Sequence, residues 1–266
     1  MRLAAGALAV ALLAAGCARP ADDPWVPTPP QALLWDMFFQ EILVEVDHAP
    51  GRELPRAALD GAIAELRTLT KREVRLGSVR EIAGHDPDPS REWSLDELLA
   101  LSHATRDDPA SAEGYGSGRS AILHVLALDG TVRADRPLRG YALENVAAVF
   151  PDEHARIQPL GRAHPSFALD VQQTLTHEMG HTVGLVGCGV PMVRPRSDGG
   201  CHSTSEESVM YAWHDRLGST LELVQPGSQP LRFDADDRAD IAAYLELGKR
   251  CAVDPGCGAP RGTTGL

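Results

Sequence analysis

His177-Glu178-Met179-Gly180-His181 sets two imidazoles four positions apart, with a carboxylate beside the first. On a helix, positions i and i+4 share one face about one turn apart, so both rings can reach one metal ion. Imidazole nitrogens suit Zn2+ at about 2.0–2.1 Å, and a glutamate next to the first ligand can take a proton from a water on that ion. Zinc lowers the pKa of such a water to about 7 and polarises a carbonyl, so the pentapeptide points to metal-assisted hydrolysis with Glu178 as general base.

The surroundings of this pentapeptide resemble the metzincin metalloproteases, whose pattern is H-E-x-x-H-x-x-G-x-x-H followed by a methionine turn. Gly184 stands at the family glycine, and glycine tolerates the positive φ that lets a helix end and the chain swing back. Ser208-Val209-Met210-Tyr211 matches the methionine turn, which the resemblance implies lies beneath the zinc ligands. Gly187 stands where the family places its third ligand, and it has no side chain with which to bind metal.

A substitute is therefore required, and the candidates before the last helix are His202, His214, Asp198, Glu206 and Glu207. His202 is favoured. It precedes Met210 by eight residues, adjoins Cys201, and would be fastened to the end of the metal helix by a Cys188–Cys201 bond. Residues 187–200 then form an insertion whose freedom the bond limits. His214 reads as an exposed loop residue. His48, His85, His103, His124, His154 and His164 have no pair spacing and read as solvated or hydrogen-bonded structural groups.

The elements that must position these groups follow from periodicity. Residues 41–46 (Glu-Ile-Leu-Val-Glu-Val) read as a strand, and residues 56–69 as a helix with Leu59, Ile63 and Leu66 on its buried face. A strand is predicted over 73–82, a helix over 95–102 capped by Ser94 and Glu97, and strands over 121–128 and 141–150. Residues 169–185 form the long helix bearing the histidines, and 234–247 a final one. This order predicts an α/β (α+β) domain. The resemblance makes it a metzincin-like zincin domain, with a twisted, mostly parallel sheet, an active-site helix, a methionine turn and a C-terminal helix. In that family an edge strand above the zinc helix pairs with extended substrate, a part that Arg139-Gly140-Tyr141-Ala142 or its neighbour would play here.

Residues 1–16 are a basic start followed by a short apolar run, and with Cys17 they read as an export signal. The run is too short for the roughly 20 residues of a membrane-spanning helix. Leu13-Ala14-Ala15-Gly16-Cys17 resembles a bacterial lipobox, which implies a lipid on Cys17, and Ala18 behind it implies the outer membrane. Residues 17–32 are then a tether rich in proline, which cannot continue a helix, 33–250 the catalytic domain and 251–266 a tail. In an oxidising compartment the four remaining cysteines are expected to pair, by proximity Cys188–Cys201 and Cys251–Cys257 among three possible connectivities.

The 25 Lys and Arg against 37 Asp and Glu give a formal charge of −12, which disfavours nucleic acid and anionic membrane surfaces. A chain of 266 residues can bury a full core, so a metal is expected for chemistry and not merely to hold the fold. The sequence thus predicts an extracytoplasmic zinc endopeptidase, outer-membrane-anchored or secreted. It would act on protein or peptide substrates, with His177, His181 and His202 on zinc and Glu178 as base. The alternative is a non-catalytic lipoprotein that binds metal or a partner on the same scaffold. Loss of the ligand at Gly187 favours that alternative, and the presence of Glu178 disfavours it.

Overall fold

A mostly parallel sheet with helices on both faces organises the computed structural model, which describes residues 27–107, 116–134, 137–157, 161–211 and 230–253. The strands are β1 (Glu41–His48), β2 (Glu73–Glu81), β3 (Glu92–Trp93), β4 (Gly116–Ser117), β5 (Ser120–Ala127), β6 (Thr131–Val132), β7 (Gly140–Leu143) and β8 (Val146–Val149). The helices are α1 (Pro29–Leu34), α2 (Arg56–Thr70), α3 (Leu95–Thr105), α4 (Pro151–Ile157), α5 (Phe167–Thr182) and α6 (Ala235–Val253). The main sheet runs β2-β1-β5-β8-β7. Its first four members are parallel, and β7 returns antiparallel along β8. The short β4 pairs antiparallel with the start of β5, and β3 pairs with β6 in a separate ribbon.

Central β5 is buried along nearly its whole length, which is why it reads as an apolar run without alternation, broken only by His124. Leu123 and Val125 face one core with Leu66 of α2 and Leu175 and Met179 of α5. Leu126 and Leu128 face the other core with Trp93 and Leu98. On that second face a polar chain fastens α3 to the sheet. His124 lies 2.7 Å from Ser102 Oγ and 2.9 Å from Asp47 Oδ2, and all three are buried. Ser102 Oγ is sealed from any substrate, so this Ser-His-Asp order is a structural tie and not a nucleophile.

Three expectations about the elements change. The proline-rich stretch expected as tether enters a helix at Pro29, because its prolines fall in the first turn, where a missing N–H costs no helical bond. Thr28 N donates to Gln31 Oε1 at 2.8 Å, and α1 docks through Trp35, whose indole N–H donates to Tyr244 O on α6 at 3.1 Å. The strand predicted over 141–150 is a hairpin, since Glu144 takes φ 54° and turns the chain after four residues. The histidine helix stops at Thr182, and Gly184 follows with φ 81°. A Cβ at Gly184 would also lie 2.7 Å from Pro30 Cγ, so α1 seals the spot where the helix ends.

No helix among the described residues is long and apolar enough to cross a membrane. The signal, Cys17, His214 and Cys257 lie outside the described residues.

Candidate metal centre

Helix α5 is amphipathic in an unusual sense, with Leu175 and Met179 in the core and His177, Glu178 and His181 on the turn beside them. The rings of His177 and His181 stand at 84° with centroids 4.6 Å apart, and their Nε2 atoms are 3.0 Å apart. Nitrogens on one tetrahedral zinc lie about 3.3 Å apart, so the pair is close to the spacing that such an ion needs. His177 Nδ1 lies 2.7 Å from Val209 O. A carbonyl oxygen only accepts, so Nδ1 carries the hydrogen and the Nε2 lone pair is left for the centre.

His202 completes the group. Its ring centroid is 5.3 Å from that of His177 and 5.1 Å from that of His181, and one donor atom from each of the three lies within 4.8 Å of the others. Among the described residues the structure does not bring Asp198, Glu206 or Glu207 into this group. Asp198 instead shapes the turn, accepting from Gly200 N at 2.7 Å and His202 N at 3.2 Å. Its other oxygen is 3.6 Å from His202 Nδ1. Burial lowers the His202 pKa, which favours the neutral ring that a metal requires. Three imidazoles converging on one point are a donor set that fits Zn2+ with a position left for water or substrate.

The delivery of His202 across the chain is built from two restraints. Cys188, just past α5, is bonded to Cys201 with Cα atoms 5.6 Å apart. Arg196 is buried between two carboxylates of α6, with Nη2 2.7 Å from Asp237 Oδ1 and Nη1 2.6 Å from Asp240 Oδ2. Asp240 also accepts from Val193 N at 2.6 Å. A small hairpin follows, closed by Thr204 N to Arg196 O and Asp198 N to His202 O. Ser208 Oγ donates to Asp237 Oδ2 at 2.6 Å, so the same α6 carboxylate holds the turn before Met210. Cys251 is disulfide-bonded as well; Cys257, with which proximity in the sequence pairs it, lies outside the described residues.

Met210 is fully buried beneath the helix, its Sδ filling the space where a Cβ on Gly180 would stand. Gly180 therefore has to be glycine for the turn to approach. Gly187, with φ 85°, contributes only chain reversal.

Glu178 is buried, and burial pushes its carboxyl up to about 8. Gly140, the first residue of β7, presses on it: a Cβ there would lie 2.6 Å from both Glu178 Oε1 and Thr174 Cγ2. The sequence singled out residues 139–142 as an edge strand but gave no role to that glycine. A glycine at a strand start, where another chain must approach closely, was the available signal. The contact is fixed from below, because Arg139 Nη1 donates to Asp170 Oδ1 of α5 at 2.8 Å and His154 Nδ1 meets Asp170 Oδ2 at 2.7 Å.

The fold and site together define an α/β domain with a three-histidine centre and a carboxylate beside an edge strand. No protein-family model matches this chain, and no curated protein does. Among solved structures it is similar to an archaemetzincin from Methanopyrus kandleri at 17% identity, over 78% of this chain and 97% of that one, with a TM-score of 0.49. It is similar also to a zinc-dependent peptidase from Methanocorpusculum labreanum (16% identity, 74% and 99%, TM-score 0.48). A third similar structure is an archaemetzincin from Archaeoglobus fulgidus complexed with malonate (13% identity, 75% and 99%, TM-score 0.43).

Proposed function

We propose that this chain is a zinc-dependent endopeptidase of metzincin type, exported and held by a lipid on Cys17 at the bacterial outer membrane. The observation that carries the catalytic part is the convergence of His177, His181 and His202 within 4.8 Å, with Glu178 on the same helix. These three imidazoles would hold the ion. Bound there, zinc supplies Lewis-acid polarisation of the scissile carbonyl and lowers the pKa of a water to about 7. Glu178 takes the proton of the attacking water on a carboxylate oxygen and returns it to the leaving amine. Strand β7 ends the sheet, so its outer edge offers backbone groups to an extended peptide, which would lie across the glutamate.

Gly140 makes that arrangement testable at one atom. Gly140→Ala should displace the Glu178 carboxylate or lift β7, and a misplacement of about 1 Å can cost about 10²-fold. A loss of that order in kcat/KM with zinc stoichiometry unchanged is the expected result; unchanged kcat/KM would remove Gly140 from the site.

The reading as a whole is tested by cleavage of an unbiased peptide mixture by the purified protein, with zinc and with chelator. Cleavage at internal peptide bonds that chelator removes and zinc restores is expected. A folded, zinc-loaded protein that cuts nothing would transfer the weight to a metal- or partner-binding lipoprotein.

A further inference from the structure

Far from the three histidines, His48, Glu53 and Glu81 form a second convergence of donor atoms, with one atom from each within 4.8 Å of the others. The topology makes it. His48 ends β1 and Glu81 ends β2, and the parallel register sets them side by side. The chain after β1 turns at Gly51, φ 69°, and brings Glu53 back over the strand ends. Strands about 4.8 Å apart put β2 about 19 Å from β7 at the other edge of the sheet, so this group is separate from the centre under Gly140.

Two features set it apart from a chance meeting of surface acids. His48 is only 7% exposed, and its Nδ1 lies 3.1 Å from Ala49 O, which can only accept. Nδ1 therefore carries the hydrogen, and Nε2 keeps its lone pair with no partner among the described residues. Neither carboxylate has a cationic partner among the described residues, whereas the nearby Asp47 and Asp152 are paired with Arg80 and Arg52. Arg162 feels the charge of Glu53 but donates to Gly51 O at 2.6 Å and forms no ion pair with it.

We infer that His48, Glu53 and Glu81 form a second metal site, for a divalent cation that accepts one imidazole and two carboxylates, such as Zn2+ or Mn2+. The two negative charges balance the ion, and the mixed donor set suits metals of borderline hardness. Occupancy would tie β1 and β2 to the turn entering α2. That helix packs on α5 so closely that a Cβ on its Gly61 would overlap Gln172, so the site braces the helix that carries the histidines. This inference does not depend on the peptidase reading.

The test is equilibrium dialysis of the full chain, first stripped of metal, against Zn2+ alone. Two equivalents are expected in the wild type and one in the double variant Glu53→Gln/Glu81→Gln. The equivalent lost must be the one that His202→Ala retains, which separates failure here from failure of the three-histidine centre. One equivalent in the wild type that the double variant keeps, or a second that persists in the double variant, would overturn the site. Should the double variant not fold by circular dichroism, the imidazole nitrogen resonances of His48 in the wild type decide the matter. They must shift with the second equivalent, and a silent His48 overturns the proposal.

Discussion

Glu178→Ala is expected to lower peptide hydrolysis by about 10²–10⁴-fold while the protein keeps its zinc, because in the proposed reaction the carboxylate moves a proton and holds no metal. His177, His181 and His202 would account for the metal without it, since the group of converging donor atoms they form does not include Glu178. The substitution also removes a buried carboxyl whose ionisation burial opposes. The fold should therefore not suffer, and thermal stability is expected to hold or rise. Zinc stoichiometry, kcat and the melting curve of the variant are the readouts. Loss of metal along with activity would make Glu178 a ligand, and unchanged kcat would remove it from the chemistry.

His202→Ala should act in the opposite sense, lowering zinc affinity and taking activity with it. Removing a residue that only orients a metal ligand costs about 10–100-fold in affinity, so removing a ligand should cost more than about 100-fold. The Cys188→Ser/Cys201→Ser pair should fall between this variant and the wild type. The bond closes a sequence separation of 13, and without it the hairpin must be ordered at the moment of binding. Arg196 would still clasp Asp237 and Asp240, so part of the ordering survives. Competition against a zinc-binding dye ranks the three proteins. Equal affinity of His202→Ala and the wild type would end the assignment of His202 and leave His214 as the histidine to test.

The pentapeptide, the helix beneath it and the alternation of strands with helices were legible in the sequence because each depends on neighbours a few residues apart. Leu59, Ile63 and Leu66 announce α2 by their spacing, and His177 and His181 announce a shared face by theirs. The short pieces were not legible. Glu144 turning β7 back along β8, and Pro29 opening α1, depend on one backbone angle or one position within a turn, which periodicity averages away. Nothing local tells Gly140 that it will lie on Glu178, or Arg196 that two carboxylates of α6 will bury it.

The sequence by itself determined which side chains are available for the chemistry: two histidines and a glutamate on one helix, and a gap at Gly187 where a third ligand would ordinarily stand. Only the tertiary structure decided which side chain comes to stand beside the two histidines. Bringing His202 there, and not Asp198, Glu206 or Glu207, required a hairpin whose position is set by a disulfide to the end of α5 and an ion cluster on α6. The physical reason is that helical spacing is written in bonds between near neighbours. A side chain 21 positions after His181 is placed by contacts whose partners are far apart along the chain, and these exist only once the chain has folded.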